Sequence, residues 1–584
     1  MEAGNEARES GRFEMEEKVY DASLFRVCEQ CGCCSSACPL TGKDGFNIRR
    51  IIRHLELDLA EEVTRSHLPW FCTTCGRCED ACPNGIKILD LVRYVRSRSP
   101  AIPESAPCVE ACPVHIDIPE YVRLIAEGKR DEAYGVIRQK VPFPAILGRV
   151  CTRFCEEKCR RKEVNGAVSI CALKRYAADC RDRTGEQVRT AAPGTGKKVA
   201  VVGAGPAGLT AAFYLRQKGH EVTLFEEREE AGGMMRFSIP AYRLPPDVLR
   251  REIQDVLDAG IELRTGKRLG RDFDLASLKN DYAAVFVSTG AQLSRRISLL
   301  GADLDGVLWG LDFLFAVKEN RVTTVKNKVV VIGGGNVAID VALTALRLGA
   351  ERVVLACLET FEKMPANRWE IDQAVEEGIT IMTSWGPERV IGTGSVSAVE
   401  LVRCTSAFDE EGKFNPIYDT DTKTTIDTSQ VILAVGQASD LSFNSRETEP
   451  IPVEAGLLAA DPDTQATGIE GVFAGGDVAK APGTIIEAIA AGRKAASAID
   501  IYLGGNGVLS GSAVERVGRI ISERREKGFA DRKRIEPIRI PVEERKETFH
   551  EVEATFEEAE AVREGSRCFG CDLEIERCRQ RRLL

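Results

Sequence analysis

The chain has 584 residues, a formal net charge of −10, and 43% hydrophobic and 29% charged residues, which fits a globular protein of three or more domains. The acidic balance disfavours nucleic acid as a partner, and apolar runs such as Val199–Val202 are too short for a membrane span. Because Met1–Lys18 lacks the apolar core of a signal peptide, we expect a cytoplasmic location, where the 21 cysteines stay reduced and can act as ligands.

The first predicted domain, 1–100, is helical and ferredoxin-like, and it carries one cysteine run written twice with identical spacing. The two copies are Cys28-x2-Cys31-x2-Cys34-x3-Cys38-Pro39 and Cys72-x2-Cys75-x2-Cys78-x3-Cys82-Pro83. This run is typical of proteins with two 4Fe–4S clusters, in which the cysteine before proline crosses to the other cluster. It predicts one cluster on Cys28, Cys31, Cys34 and Cys82, and another on Cys72, Cys75, Cys78 and Cys38. A zinc site also uses CxxC pairs, but zinc gives no reason for the third cysteine or the trailing Cys-Pro.

The second predicted domain, 101–190, is also helical, but its cysteines form no complete run. The final segment, 506–584, is predicted to be extended and contains one CxxC pair. Together these regions hold eight thiols, enough for two more clusters: Cys108, Cys112, Cys151, Cys155, Cys159, Cys171, Cys568 and Cys571. We expect the remaining cysteines to be structural: Cys33, Cys180, Cys357, Cys404 and Cys578.

Three stretches of this second domain resemble the cluster-binding N-terminal domain of the glutamate synthase small-subunit family. They read CPVHIDIPEYVRLIAEG at 112–128, GRVCTRFCEEKCRRKEV at 148–164 and VSICALKRYAAD at 168–179. Dihydropyrimidine dehydrogenase and the large subunit of NADH-dependent ferredoxin:NADP oxidoreductase share this domain. Residues 20–95 instead resemble the C-type subunit of heterodisulfide reductase, a small two-cluster electron carrier.

The resemblance implies how the eight thiols divide. Many relatives carry a CxxC pair just upstream of the position of Cys108, whereas this chain has no cysteine in 97–106 and has a similar stretch at 557–571. The tail is therefore expected to complete a cluster with Cys108 and Cys159, while Cys112, Cys151 and Cys155 hold the other. Relatives often place Gln or Glu where this chain has Lys174, so the resemblance implies that Cys171 is the fourth ligand of this cluster. The competing interpretation is that Cys171 is a small buried hydrophobic residue.

A first dinucleotide loop follows the polar linker 190–198. Lys198–Gly208 has the strand, turn and helix of such a loop, and the acid Glu226 ends the next strand, where a carboxylate accepts ribose hydroxyls. The loop residues are Gly203, Gly205, Pro206, Ala207 and Gly208. Further stretches resemble the flavin-binding segments of the family and imply FAD contacts at Gly233, Arg236, Arg243, Thr289, Gly290, Gly476, Asp477 and Thr484. They predict an FAD-binding domain of 197–325 and 430–505.

A second loop predicts a nicotinamide-binding domain of 326–429. Its expected contacts are Gly333, Gly335, Asn336, Val337 and Asp340. Relatives that use NADPH carry two arginines just past the second strand, and here those positions hold Leu358 and Glu359. A carboxylate bonds a 2′-hydroxyl but repels a 2′-phosphate, which favours NAD(H) over NADP(H). Lys363 and Arg368 lie near enough in sequence to keep NADP(H) open, and Glu359 can also be read as a solvated surface acid.

The predicted fold is an α/β core of two Rossmann-like domains, of the glutathione-reductase type, preceded by two α-helical iron–sulfur domains. The predicted function is an NADH-dependent oxidoreductase subunit that passes electrons through FAD and four 4Fe–4S clusters to a partner protein in a complex. The flavin and nicotinamide carry the chemistry, so no side chain is expected to be catalytic. Between residues 200 and 500 only Cys357 and Cys404 occur, which excludes the CxxC of a disulfide reductase.

Three other functions stay open from the sequence. The chain can be read as a flavin-based electron-bifurcating subunit, since flavin potentials depend on local contacts that motifs do not reveal. It can be read as the NADPH-dependent electron-input subunit of a glutamate synthase-like complex, although the simple subunit lacks the N-terminal cysteine runs. A non-catalytic cluster-bearing scaffold is a third interpretation, which the two intact nucleotide loops disfavour.

Overall fold

The computed structural model of the protein describes residues 23–180, 192–481, 483–509 and 525–583. Its N-terminal part consists of short helices joined by cysteine-bearing turns: α1 (Ser23–Arg26), α2 (Cys33–Ala37), α3 (Ile48–Glu56), α4 (Ala60–Thr64), α5 (Leu68–Phe71), α6 (Arg77–Asp80) and α7 (Ile88–Ser97). Apolar faces of α3 and α7 make its core, where Ile51 and Val92 are fully buried. Short helices suit this part, because the cysteine turns must come close to one another.

A second helical part follows: α8 (Pro107–Glu110), α9 (Ile118–Ala126), α10 (Arg130–Arg138), α11 (Pro144–Val150), α12 (Phe154–Glu157), α13 (Lys162–Asn165) and α14 (Ile170–Asp179). Helices α11 and α14 pack closely, since a Cβ atom on Gly148 would lie 2.6 Å from the Cα of Arg175. This contact holds the end of α11, next to Cys151, beside the start of α14, which carries Cys171.

The first parallel sheet has the order β17–β4–β1–β2–β3. Its strands are β1 (Lys198–Val202), β2 (Glu221–Phe225), β3 (Glu262–Arg264), β4 (Ala284–Val287) and β17 (Val472–Ala474). The helices around it are α15 (Pro206–Gln217), α16 (Met234–Phe237), α17 (Pro246–Leu257), α18 (Leu275–Asp281) and α22 (Ile485–Tyr502). None of the described helices, α22 included, is long and apolar enough to cross a membrane.

The second parallel sheet has the order β6–β13–β7–β8–β9. Its strands are β6 (Val307–Trp309), β7 (Lys328–Ile332), β8 (Arg352–Cys357), β9 (Thr380–Thr383) and β13 (Gln430–Leu433), with helices α19 (Gly310–Lys318), α20 (Asn336–Arg347) and α21 (Arg368–Glu376). The predicted limits 326–429 therefore leave out two strands of this sheet. Strand β13 pairs in parallel with both β6 and β7, and such pairing between distant segments is not visible in either segment alone.

The remaining strands are antiparallel. A three-stranded sheet is formed by β10 (Trp385–Thr393), β11 (Ser395–Phe408) and β12 (Phe414–Asp427), and two short ribbons by β5 (Leu293–Ser294) with β14 (Gln437–Ala438) and β15 (Val453–Glu454) with β16 (Leu457–Leu458). The tail carries α23 (Val542–Glu547), α24 (Glu558–Gly565) and α25 (Cys571–Leu583). Helix α24 packs on α9 and α25 on α7, so the tail joins both helical parts.

Candidate redox site

A cavity of about 480 Å³ lies between the two parallel sheets. Residues at the carboxyl ends of β1, β2 and β4 line one side of it, and residues that begin α20 line the other. Open parallel sheets bind nucleotides at this edge. The predicted residues on its wall are Gly203, Gly205, Pro206, Ala207, Glu226, Gly233, Arg243, Thr289, Gly290, Asn336, Val337, Asp340, Gly476, Asp477 and Thr484.

The first glycine turn has the close packing that a dinucleotide loop needs. Gly203 has φ 101°, a left-handed conformation that favours glycine. A Cβ atom on Gly208 would lie 1.9 Å from the carbonyl oxygen of Gly203, so α15 can approach the turn only with glycine there. The carboxylate of Glu226 accepts hydrogen bonds from the N–H groups of Ala204 (2.9 Å) and Arg228 (3.0 Å), and burial raises its pKa. Glu226 thus fixes the loop while it faces the cavity.

Other polar groups of the first sheet's domain also line the cavity. The buried hydroxyl of Thr289 has no hydrogen-bond partner among the described residues, as expected of a group that faces a ligand. The carboxylate of Asp477 accepts a hydrogen bond from the N–H of Gly483 at 3.2 Å, and burial raises the pKa of Asp477 to about 6. Thr484 caps α22 by accepting from the N–H of Glu487, so this helix N-terminus lies on the wall. These groups fit the polar chain of a bound FAD.

Two of the predicted flavin residues are placed differently. Arg236 is not on the cavity wall, because its guanidinium donates to the carbonyl of Ala231 at 2.6 Å and pairs with Glu230 at 3.1 Å. Arg243 reaches the wall but is bound to Asp340 at 2.7 Å and to Glu370 at 2.5 Å. Since Arg243 belongs to the first sheet's domain and both acids to the second, this buried network joins the two nucleotide-binding halves.

The second glycine turn is covered by the carboxylate predicted to select the nucleotide. Gly333 has φ 142°, and Gly335 begins α20. A Cβ atom on Gly334 would lie 2.7 Å from Oε2 of Glu359, which places that carboxylate directly over the turn. The half-buried Glu359 has its pKa raised by burial. Gly333, Gly335 and Glu359 are not among the residues that line the main cavity.

The structure brings the N-terminal cysteines into the two predicted groups. One small cavity is lined by Cys28, Cys31, Cys34 and Cys82, and a second by Cys38, Cys72, Cys75 and Cys78. The two runs turn alike, with left-handed backbone at Gln30 and Gly32 in the first and at Thr74 and Gly76 in the second. These turns let three thiols of one run converge, and the cysteine before proline comes from the other run.

The C-terminal tail supplies half of a third group. Cys108 and Cys159 share a small cavity with Cys568 and Cys571, the arrangement that the resemblance implies. The tail is held by Arg161, whose guanidinium is fully buried and donates to the carbonyls of Phe529 (2.9 Å) and Arg567 (3.3 Å). Burial raises the pKa of Cys571 to about 12, so cluster assembly would have to displace its proton.

The fourth predicted group, Cys112, Cys151, Cys155 and Cys171, has no cavity of its own, but each of its thiols influences the pKa of the buried Lys174. The thiol of Cys171 donates to the carbonyls of Leu147 (3.2 Å) and Gly148 (3.3 Å), and its effect on Cys151 lowers the pKa of Cys151. The role of Cys171 as a ligand stays a prediction. Burial favours a neutral Lys174, but the surrounding thiols, Cys151 foremost, hold its pKa above the ordinary value.

The four groups form a series that starts at the main cavity. Val150 and Thr152, on either side of Cys151, lie on the cavity wall, so the fourth group is next to the nucleotide site. Cys155 and Cys159 link the fourth group to the third along one short segment. Cys75 packs against Phe569 and Cys571 of the tail, and the series ends at the exposed Cys31. The contribution of Val150 and Thr152 to the wall was not predicted.

Three of the thiol groups have the number of ligands that a 4Fe–4S cluster needs. In each of them four thiols line one small cavity. A cubic cluster takes one thiolate on each of its four irons, so these residues fit such a cluster.

Family models match three regions of the chain. A model described as pyridine nucleotide-disulphide oxidoreductase matches residues 197–492. A model described as dihydropyrimidine dehydrogenase domain II, 4Fe-4S cluster, matches 101–186, and a 4Fe-4S dicluster domain matches 25–86. The predicted fold class is confirmed, and the zinc interpretation of the cysteine runs is set aside because both matched models are 4Fe-4S domains.

Similar proteins span most of the chain. The NADP(+)-dependent formate dehydrogenase subunit beta of Moorella thermoacetica is 36% identical, over 80% of this chain and 70% of that protein. The NADPH-Fe(3+) oxidoreductase subunit beta of Geobacter sulfurreducens is 36% identical, over 80% and 75%. The glutamate synthase (NADPH) small chain of Azospirillum brasilense is 33% identical, over 68% and 86%.

These findings confirm that the chain is an NAD(P)H oxidoreductase of the flavin and iron–sulfur type, which sets aside the non-catalytic scaffold. The first glycine turn and the start of α20 line one cavity, and Val150 and Thr152, which flank Cys151, lie on the same wall. The chain belongs to the glutamate synthase small-subunit-like family of iron–sulfur flavoproteins, within the pyridine nucleotide-disulphide oxidoreductases.

Proposed function

We propose that this chain takes electrons in pairs from NADH and delivers them singly to a partner protein. The observation that carries the proposal is the series of four thiol groups, which begins at the wall of the nucleotide cavity beside Cys151 and ends at the exposed Cys31. When bound, FAD accepts a hydride from the nicotinamide, and the 4Fe–4S clusters carry single electrons.

The residues that hold FAD are those of the first sheet's edge. The turn at Gly203–Gly208 and the N-terminus of α15 bind the pyrophosphate, and Glu226 binds the ribose. Thr289 and Asp477 bond the polar chain, and the N-terminus of α22 at Thr484 faces the ring system. Arg236 has no part in this set, because its guanidinium is satisfied by Ala231 and Glu230.

The sixteen grouped cysteines are proposed as the ligands of four clusters. Two groups lie in the N-terminal part, the third includes Cys568 and Cys571, and the fourth includes Cys171. The grouping in space supports each set. Cys171 is proposed as the fourth ligand of its group because the resemblance passes this role to it and because it influences the pKa of Cys151.

NADH is proposed as the preferred nucleotide. The carboxylate of Glu359 lies over the second glycine turn, where the adenosine ribose of a bound nucleotide would lie. A carboxylate there accepts from a 2′-hydroxyl and repels a 2′-phosphate. Arg368 does not offer a free charge in its place, because its guanidinium stacks on Phe361 and pairs with Asp372 at 3.0 Å. The names of all three relatives reported above include NADP or NADPH, so this chain would differ from them in specificity.

The partner is proposed to be another subunit of a multi-subunit complex. The relatives named above are themselves called subunits or chains of larger enzymes. The exposed Cys31 marks the end of the series from which an electron can leave.

The test is an anaerobic titration of the purified protein with NADH and, separately, NADPH, followed by absorbance, with iron and FAD quantified. The expected result is bleaching at low NADH concentration, with about sixteen irons and one FAD per chain. A preference for NADPH would overturn the role of Glu359 and favour the NADPH-dependent input subunit. Reduction of FAD without reduction of any cluster would overturn the relay.

A further inference from the structure

The hydroxyl of Thr152 is a buried polar group at the main cavity that has no partner among the described residues. Thr152 is 9% exposed, and its Oγ1 makes no hydrogen bond within the described part of the chain. Thr152 also lines the cavity of about 480 Å³ that lies between the two parallel sheets. Because an unpaired buried hydroxyl destabilises a protein, such a group beside a cavity is expected to bond what fills the cavity.

Position, rather than the missing partner alone, marks Thr152 as a ligand-binding residue. Thr344 on α20 is 1% exposed, and its hydroxyl also lacks a hydrogen bond among the described residues. Thr344 does not line the cavity, so a bound ligand there cannot satisfy it. Thr152 combines the unpaired hydroxyl with a place on the wall.

The packing around Thr152 favours the flavin over the nicotinamide nucleotide as its partner. Helix α11, which ends at Val150, packs against α17 and α22 of the first sheet's domain. Val150 shares a hydrophobic core with Met235 and Ile486 of that domain. FAD stays bound through the reaction cycle, whereas the nicotinamide nucleotide comes and goes, so only FAD would satisfy a buried hydroxyl throughout.

Thr152 also lies where the two nucleotide-binding halves meet. The next residue, Arg153, stacks on Trp369 of the second sheet's domain, with its guanidinium 4.5 Å from the ring centre. The flavin ring must lie at this junction to receive a hydride from the nicotinamide. The adenosine end of FAD is proposed instead at Glu226. The hydroxyl of Thr152 is therefore assigned to the ring end of the cofactor.

We propose that the hydroxyl of Thr152 hydrogen-bonds the polar edge of the isoalloxazine ring of FAD and so positions the ring beside the cluster-bearing domain. The inference rests on the proposed function. A hydroxyl can donate one hydrogen bond and accept two, so it suits a ring nitrogen that accepts in oxidised flavin and carries a proton in reduced flavin. Since Thr152 directly follows Cys151 in the chain, this bond would also link the ring to a proposed cluster ligand through one peptide unit.

The experiment compares anaerobically purified full-length wild type with Thr152→Val, which keeps the shape and removes the hydroxyl, and Thr152→Ser, which keeps the hydroxyl. Thr344→Val is the matched control, because it removes an equally unpaired buried hydroxyl away from the cavity. The dissociation constant of FAD is measured from the fluorescence of FAD released on dilution. Resonance Raman spectra report the flavin ring bands that respond to hydrogen bonding, and iron is counted.

In Thr152→Val, the dissociation constant of FAD is expected to rise by about threefold to tenfold, the range for the loss of one hydrogen bond, and the ring bands are expected to shift. Thr152→Ser and Thr344→Val should keep the wild-type values, and all variants should keep their iron. Unchanged FAD affinity and ring bands in Thr152→Val would overturn the inference, because the hydroxyl would then bond water.

An equal loss of FAD or of iron in Thr152→Val and Thr152→Ser would also overturn the inference, because the whole side chain would then serve the packing of the domain. Both readings are made without nicotinamide nucleotide. A failure of NADH to deliver electrons, which would overturn the proposed function, is therefore seen separately.

Discussion

Arg93 and Glu574 form a buried, two-bonded ion pair across 481 residues of sequence. The guanidinium of Arg93 donates to both carboxylate oxygens, at 2.9 and 2.7 Å, and both side chains are almost inaccessible. Arg93 lies on α7 of the N-terminal part and Glu574 on α25 of the tail. The pair therefore holds the tail, and with it Cys568 and Cys571, against the domain that carries the first two thiol groups.

Glu574→Ala should release the tail. Removing the carboxylate leaves the Arg93 charge buried without its main partner, which typically costs about 3–5 kcal/mol. We expect faster proteolysis of the tail and a loss of about four irons per chain, measured by limited trypsin digestion and iron analysis. Gln580→Ala, an exposed change on the same helix, is the control. Full iron content with a protected tail in Glu574→Ala would contradict the anchoring role.

Cys568→Ala and Cys571→Ala should each remove one cluster. Both thiols line the cavity shared with Cys108 and Cys159, so each change leaves three ligands. The expected iron content falls from about sixteen to about twelve per chain. Cys180→Ala, at a half-buried thiol outside the four groups, should keep the wild-type value. Full iron content in both variants would contradict the prediction that Cys568 and Cys571 are cluster ligands.

The cysteine spacing predicted the first two groups because all of their ligands lie in two short runs. The third group was anticipated only through resemblance, since no local pattern connects residues 108 and 568. The sequence left open which of the other residues line the cavity, and burial and hydrogen bonding determine this in the structure. Arg236 turned away from the cavity because a nearby carbonyl, that of Ala231, satisfies it. Val150 and Thr152 joined the cavity wall through packing of α11 against α17, which a single segment does not reveal.

Leu358→Arg combined with Glu359→Arg should shift the protein toward NADPH. The change removes the carboxylate above the second glycine turn and provides two guanidinium groups for a 2′-phosphate. Hydrogen bonds to charged groups are worth about 1.5–3 kcal/mol each, so the KM for NADPH should fall by tenfold or more. The KM for NADH should rise. Lys413→Ala, an exposed change in the turn between β11 and β12 of the same domain, is the control. An unchanged NADH:NADPH ratio in the double variant would show that nucleotide choice is made elsewhere.

Glu252→Gln should give a pH-dependent loss of stability. Glu252 accepts from the N–H groups of Ala145 and Ile146, both at 2.8 Å, and so caps α11 from α17. Burial raises its pKa from 4.5 to about 7. Between pH 4.5 and pH 7 the carboxyl of Glu252 is protonated in the folded protein but ionised in the unfolded chain. Its contribution to the free energy of unfolding is therefore complete below pH 4.5 and declines as the pH rises to about 7.

The destabilisation of Glu252→Gln should therefore be largest at pH 4.5 and below, and smaller, by up to about 3 kcal/mol, at pH 8. Thermal unfolding of the loaded protein at intervals across this range measures it. Asp247→Asn, at an exposed position on the same helix, should show no such trend. A difference from wild type that grows with pH would reverse the sign and refute the assigned shift.

Gly208→Ala should abolish FAD retention. The added methyl group would lie 1.9 Å from the carbonyl oxygen of Gly203, and the turn must move to accommodate it. Overpacking of this kind costs about 1–3 kcal/mol and would displace the N–H groups of α15. The FAD-to-protein ratio after gel filtration is the measurement. Gly194→Ala, where a Cβ atom meets nothing within 4 Å, should keep its flavin.

The participation of Cys568 and Cys571 in the third group has a consequence for biosynthesis. The ribosome makes Cys108 and Cys159 first, then both nucleotide-binding regions, and only afterwards the other two cysteines. Domains fold as they emerge, in order from the N-terminus. A cluster at the third group would thus be inserted only into a polypeptide whose flavin region has already been translated. A chain interrupted before that point would have the nucleotide cavity and the two N-terminal thiol groups, but an incomplete third group between them. Electrons from the flavin would then not reach the N-terminal clusters, and so would not pass from there to oxygen or to the wrong partner.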